Sequence, residues 1–290
     1  MQRGVFIIAL GYEMYGELAF NLAMSLKTNS PNIHITVLYS KSSIKSLRKW
    51  HLNYFDNMIE CPADVYKVGK SNQYQRAKLY TYRFSPYEET IYLDADVVWN
   101  PDRKVESFFE TIDNVDFTVC NKGYYSPKYK HHEKNGYTYW GSAEQIANYF
   151  KLENRLYQCQ TTFFYFKRNE KIEEMFKKAL EVYDDPKAPC CQWAGGKPDE
   201  FCFNVAMSQC NIRPHKFNYM PVYIQFTDGI RGKDYILDYY WVTSNCGNRV
   251  HVTVAKLYNN LVHKYCVINK IPDRFYHTNK KELIPERQHG

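Results

Sequence analysis

Thr90–Asp102 reads TIYLDADVVWNPD, and it sets Asp94 and Asp96 into an otherwise apolar strand signal with one alanine between them. Side chains two residues apart in an extended chain fall on the same face. Two ionised carboxylates placed so close repel, and they stay charged only beside a cation or strong hydrogen-bond donors. A hard divalent ion meets that need. Mg²⁺ and Mn²⁺ prefer oxygen ligands and can keep coordination positions for phosphate oxygens. The competing reading is a solvated turn at the strand end, since a bare D-x-D triplet is common. The flanking IYL and VVW runs favour the metal.

Other groupings offer less chemistry. Cys190, Cys191 and His215 lack a zinc-site spacing, and neither a G-x-S-x-G elbow nor a phosphate-binding P-loop occurs. The nine cysteines are an odd number without the spacing of a disulfide framework, which points to reduced thiols and a cytoplasmic setting. The formal net charge of +7 suits a phosphate-bearing small substrate, a nucleic acid or an acidic membrane surface without choosing among them. Val5–Leu10 is too short for a signal-peptide core, and no apolar run approaches the roughly 18 residues of a spanning helix. With 44% hydrophobic and 17% aromatic residues, the chain can bury a real core.

The elements that must position the aspartates read as an alternating series. A strand is expected over 4–10, a helix over 13–29, a strand over 33–40, a helix over 43–55, a weaker strand from Asn57 towards Pro62, a helix over 72–84, and then the strand ending at the aspartates. That order predicts an α/β fold, a mostly parallel sheet flanked by helices. Such sheets bind ligands beyond the carboxyl ends of their strands, where Asp94 and Asp96 fall. Further on, a short helix is read over 106–112, a strand over 116–120, a polar tyrosine-rich loop over 121–140, a strand over 159–169, an amphipathic helix over 170–184, and a helix over 199–211 opened by acidic residues suited to its dipole. The loop holding Gly195–Gly196 reads as a turn or a substrate-side loop. Beyond 212 the pattern is fragmentary, with a helix around Ala255–Tyr265. One domain over 1–290 is expected, with an irregular second half.

KLYTYRFSPYEETIYLDADVVWNPD, 78–102, resembles the core signature of nucleotide-sugar-dependent glycosyltransferases of the GT-A fold, above all the glycogenin and lipopolysaccharide galactosyltransferase family. FIIALGYEMYGELAFNLAMSLK, 6–27, is similar to that family's opening strand and helix, QTTFFYFKRNE, 160–170, stands in the place of a central strand segment, and KPDEFCFNVAM, 197–207, resembles its aspartate–glutamine helix. The resemblance covers roughly residues 5–210 and implies a GT-A type Rossmann-like sheet. In it, 1–120 mainly bind the nucleotide sugar, and 121–290 mainly form the acceptor side.

The resemblance also implies roles. Asp94 and Asp96 would ligate Mn²⁺ or Mg²⁺, with Asp94 also near the ribose. Ala9, Leu10 and Tyr15 would enclose base and ribose. Arg76 and Lys78 would approach the donor sugar or its phosphates, or serve as surface cations. Asp199 and Glu200 would face sugar hydroxyls, or simply suit a helix start; Glu200 stands where the family has glutamine. His251 in NRVHVTVAKLYNN, 248–260, is the candidate third metal ligand, with His263 and His277 as rivals, although the family's glycine, proline and tryptophan are missing there. Lys256 would offset diphosphate charge. Gln160 and Thr161 would address the donor or the acceptor sugar, in a segment that lacks the family's glycine.

The reaction so implied moves a sugar from a nucleoside diphosphate sugar, UDP-sugar favoured, to an acceptor hydroxyl with retention of configuration; an inverting course would instead need a base opposite the diphosphate, for which Asp199 and Glu200 are the first candidates. A glycan or small molecule leads as acceptor. A hydroxylated base in viral DNA is the alternative, which the charge and the aromatic-basic stretch YYSPKYKHH permit. A catalytically inactive nucleotide- or glycan-binding protein and a nucleotidyltransferase are the remaining readings. The latter would show a glycine-rich loop after the first strand, and ALGYEMYGE has only two scattered glycines.

Overall fold

In the computed structural model, the residues described are 2–133, 140–193, 195–215, 222–223, 240–243 and 252–272. The elements in chain order begin with β1 (Arg3–Ala9), α1 (Glu13–Asn29), β2 (Ile35–Tyr39), α2 (Lys49–Leu52), β3 (Asn57–Glu60), α3 (Ala63–Tyr66) and the hairpin β4 (Lys67–Val68) and β5 (Ser71–Asn72). A 3-10 helix over Tyr74–Tyr80 leads into α4 (Thr81–Phe84), then β6 (Glu89–Asp94), β7 (Val97–Trp99), α5 (Val105–Thr111), β8 (Phe117–Ser126) and β9 (His131–Glu133). After α6 (Ala143–Tyr149) come β10 (Leu156–Lys167), α7 (Glu170–Asp184), α8 (Asp199–Gln209), β11 (Val222–Tyr223), β12 (Trp241–Thr243) and α9 (Val252–Ile268).

The central sheet has the order β3-β2-β1-β6-β10-β8-β9. β2 and β3 pair in parallel. The Ser40 amide reaches the Ala9 carbonyl where β2 and β1 both end, and the Glu89 amide reaches the Gln2 carbonyl where β6 and β1 both begin, so these pairs are parallel too. β10 runs the other way. It pairs antiparallel with β8, and the Arg168 amide at its end bonds to Glu88 at the start of β6. β9 turns back antiparallel on β8. The mostly parallel α/β sheet expected from the sequence is therefore present, with β10 and β9 as the reversed strands.

The chain folds into two compact units. One comprises Met1–Phe6, Cys61–Tyr92 and Asn114–Lys216; the other comprises Ile7–Glu60, Leu93–Asp113 and Phe217–Gly290. In the first unit the core is aromatic. Phe164 stacks on Tyr92 at 4.4 Å and meets Phe176 and Phe203, and Phe203 lies against Phe117 and Phe176. α7 turns Ile172, Met175, Phe176, Ala179, Val182 and Tyr183 into that core, and its N-cap Asn169 accepts the Ile172 amide, the capping geometry expected for that residue type.

In the second unit α1 is buried along most of its length and packs on β7, where the Trp99 amide donates to Ser25 Oγ at 3.0 Å. α9 is fastened to it by polar links. Asn29 donates to Tyr265 Oη at 2.6 Å, Tyr265 Oη donates to the Trp99 carbonyl at 2.8 Å, and Asn21 donates to Tyr258 Oη at 3.3 Å. Buried polar groups hold a fold only when so paired.

Three local expectations are corrected. The helix read over 43–55 is confined to Lys49–Leu52, because Ser40 and Ser43 spend their hydroxyls on the strand ends and turns around them, which competes with helix formation. The helix over 72–84 is a 3-10 helix followed by the short α4. The loop over 121–140 carries strand to Ser126 and again over His131–Glu133. No described helix is long and apolar enough to cross a membrane.

Candidate functional site

The second unit holds the aspartates. β2 and β3 lie on one side of β1 and β6 on the other, so the sheet reverses its strand order between β1 and β6. Open α/β sheets form their ligand crevice at the carboxyl ends of such neighbouring strands. β1 ends at Ala9 and β6 at Asp94. Ala9 is fully buried and Leu10 nearly so, so what they offer a ligand is backbone. That backbone is held in place: Ser43 Oγ donates to the Ala9 carbonyl at 2.6 Å, and the Gly11 amide donates to Ser40 Oγ at 3.0 Å. Gly11 takes a φ of 89°, which only glycine adopts freely. α1 then starts close against the serine loop. A Cβ on Gly16 would come within 2.0 Å of the Ser43 carbonyl, so the helix can begin there only with glycine. Tyr15, in the first turn, is partly exposed.

Asp94 closes β6, Ala95 and Asp96 form the turn, and Val97 opens β7. Asp94 is partly exposed, while Asp96 retains 8% exposure. The pair supplies two hard oxygen donors at the end of a strand, which fits a divalent ion. Among the described residues no group of three or more His, Cys, Asp or Glu side chains is gathered to hold a metal. The third ligand read at His251, and its rival His277, lie outside the described residues, and His263 is exposed on α9. Lys256 falls in the first turns of α9.

The first unit holds a second polar cluster. Lys78 rides on the 3-10 helix, Thr161 on β10, and Asp199 and Glu200 open α8. Lys78 Nζ lies 3.2 Å from Asp199 Oδ2 and 3.4 Å from the Thr161 carbonyl, with the Tyr92 ring 5.6 Å below. Thr161 Oγ1 donates to the same Asp199 oxygen. Asp199 is only 7% exposed, so cation and hydroxyl together stabilise a carboxylate that burial opposes. Thr161 reaches it because β10 breaks register with β8: Gln160 pairs with Cys120 but Phe164 with Val119. A bulge of this kind re-aims side chains. At its edge Gln160 Oε1 is buried without a protein partner, as is Thr162 Oγ1.

Glu200 is partly buried and accepts a hydrogen bond from Trp140 Nε1 at 3.0 Å. Burial, reinforced by the Asp199 charge, pushes its carboxyl up to about 7. In the folded protein it holds a proton that the unfolded chain releases between about pH 4.5 and 7, so stability falls as pH rises through that window. Glu200→Gln removes the dependence and gains about 2 kcal/mol over the wild type at pH 8, with little difference at pH 5. Urea denaturation of both proteins at the two pH values checks this, and parallel pH dependences would refute it.

Arg76 is committed within its unit. Its Nε and Nη2 pair with both Asp184 oxygens at 3.0 and 2.8 Å, and Nη1 donates to the Asp64 and Val65 carbonyls. Its guanidinium also lies over the Tyr80 ring at 5.1 Å. It pins the helix that carries Lys78. Sequence reasoning missed Trp140, Asp184 and the Ser40–Ser43 loop. Only the last has a local signal, the serines following strand two.

No family model matches the chain, and no curated protein sequence does. Among solved structures it is similar to the bifunctional glycosyltransferase WbbM in its apo form, with TM-score 0.49 and 14% identity over 72% of this chain and 38% of that one. It is similar to mouse xyloside xylosyltransferase 1, apo form, with TM-score 0.49 and 11% identity over 85% and 98%. It is also similar to galactosyltransferase LgtC in complex with donor and acceptor sugar analogues, with TM-score 0.43 and 11% identity over 71% and 70%.

Proposed function

We propose that this chain is a metal-dependent glycosyltransferase that moves a sugar from a nucleoside diphosphate sugar to a hydroxyl of a glycan or small molecule, with retention. The observation that carries it is the placement of Asp94 and Asp96 at the carboxyl end of β6, beside the end of β1, where the strand order reverses. Residues 1–290 then act as one catalytic domain. Asp94 and Asp96 would hold Mn²⁺ or Mg²⁺, which when bound offsets the charge growing on the departing diphosphate. The backbone at Ala9 and Leu10 and the ring of Tyr15 border the base and ribose, and Lys256 adds positive charge for the diphosphate.

Asp199, Glu200 and Gln160 offer carboxyl and amide groups suited to sugar hydroxyls. Lys78 holds the Asp199 carboxylate in its orientation, and Arg76 holds the helix that carries Lys78. In the retaining course the acceptor oxygen bonds to the anomeric carbon on the face from which the diphosphate oxygen departs, taking its place, and the acceptor's proton leaves with the phosphate. No dedicated protein base is required. All eight described cysteines are free thiols, which supports a cytoplasmic setting.

The test is a panel of UDP-, GDP- and other nucleotide sugars with Mn²⁺ or Mg²⁺, read as nucleoside diphosphate released. Turnover is expected with a UDP-sugar. Folded protein that neither binds nor turns over any member would overturn the proposal.

A further inference from the structure

Trp193 stands 58% exposed, on a backbone held by several hydrogen bonds. Its amide donates to the Gly196 carbonyl at 2.7 Å, and its carbonyl accepts the Gly196 amide at 3.0 Å. Gln75 Nε2 donates to the same Trp193 carbonyl at 2.9 Å. Gly195 takes a φ of +81°, and a Cβ on Gly196 would fall 2.3 Å from Tyr183 Oη and 2.7 Å from Gln73 Oε1. The two glycines therefore let the turn seat directly on Tyr183 and the start of the 3-10 helix. Tyr183 is itself fixed by donating to Gln73 Oε1 at 2.7 Å. Trp140 meets the exposed indole edge to face, with centroids 5.8 Å apart and planes at 65°. The Trp140 N–H is spent on Glu200, one residue from Asp199.

An exposed indole on an anchored backbone, whose neighbouring ring bonds to a carboxyl of the proposed sugar-binding cluster, is placed to meet a ligand. A pyranose fits well. Its axial C–H face is apolar and of the size of one ring, while its edge carries hydroxyls that a carboxyl can bond.

We propose that Trp193, backed by Trp140, is the stacking platform of the acceptor subsite, and that the acceptor is a saccharide whose terminal pyranose lies on the Trp193 ring with its hydroxyl edge towards Glu200. This rests on the reading of the chain as a glycosyltransferase; an indole also stacks nucleobases, so the oligonucleotide arm of the experiment separates a glycan from a hydroxylated DNA base.

The experiment titrates the full chain, without donor, with methyl β-galactoside, methyl β-glucoside, lactose, maltotriose and a hydroxymethylcytosine-containing oligonucleotide, following tryptophan fluorescence. At least one saccharide is expected to change the emission saturably. The Trp193→Ala variant should weaken that binding tenfold or more, while Trp193→Phe recovers part of it. In transfer assays Trp193→Ala should raise the acceptor KM by a similar factor with a smaller change in kcat. No response to any saccharide, an equal response in Trp193→Ala, or a response to the oligonucleotide alone would overturn the proposal. Nucleotide-sugar hydrolysis by the wild type, with water as acceptor, tests the underlying function separately.

Discussion

Asp96→Ala lowers metal-dependent release of nucleoside diphosphate from a UDP-sugar by about a thousandfold, and the protein still folds. The size follows from the assigned role. Losing one group that stabilises charge on a leaving oxygen costs on the order of 10²–10³ in rate, and losing a metal ligand also weakens the hold on the ion. The fold survives because Asp96 sits in the turn after β6, while the apolar residues around it, Leu93, Val97, Val98 and Trp99, form the core there. Asp96→Asn keeps the shape of the side chain and removes its charge, so it separates packing from metal binding. It should show most of the same loss, with an elevated Mn²⁺ requirement. Wild-type turnover in either variant at saturating metal would remove the metal role from Asp96.

Lys78→Met destabilises the protein by about 3 kcal/mol. The substitution leaves Asp199 at 7% exposure without its cation, and a buried charge stripped of its partner costs about 3–5 kcal/mol. Thr161 Oγ1 still donates to it, which places the effect at the lower end. The double variant Lys78→Met, Asp199→Asn removes the stranded charge and should recover most of the loss, since removing both members of a buried pair is far less costly than removing one. Denaturant unfolding of the four proteins of the cycle measures the coupling. A Lys78→Met protein within about 0.5 kcal/mol of wild type would show that the pair is a solvated contact with no structural weight.

Parts of this were legible in the chain, for physical reasons that can be named. α1 and α7 occupy the spans expected of them, Glu13–Asn29 and Glu170–Asp184: α7 carries a regular apolar stripe that Asn169 opens, and α1 is apolar enough to be buried on all sides from Leu18 to Leu26. Asp94 and Asp96 were legible because carboxylates inside an apolar strand need an explanation from the outside. The role of Arg76 was not: its guanidinium answers to Asp184, 108 residues away, and long-range pairing leaves no local mark. The same holds for Trp140 and Glu200, 60 residues apart. The β10 bulge is hidden as well, since QTTFFYF reads as uniform strand while only its pairing with β8 shows the slip at Thr161–Phe163. The turn at Gly195–Gly196 was visible as a pair of glycines. That it holds the backbone of an exposed tryptophan depended on Tyr183 and on Gln75, the latter 118 residues away.

The central claim is that the carboxyl ends of β1 and β6 receive a nucleotide sugar through a divalent ion. Its most direct measurement is nucleoside diphosphate release from a UDP-sugar by the wild-type chain with Mn²⁺, repeated after EDTA and again after Mn²⁺ is restored. The account predicts turnover that EDTA abolishes and Mn²⁺ returns. Turnover unchanged by EDTA would contradict the metal assignment, and its absence in folded protein across the whole nucleotide-sugar panel would contradict the claim itself.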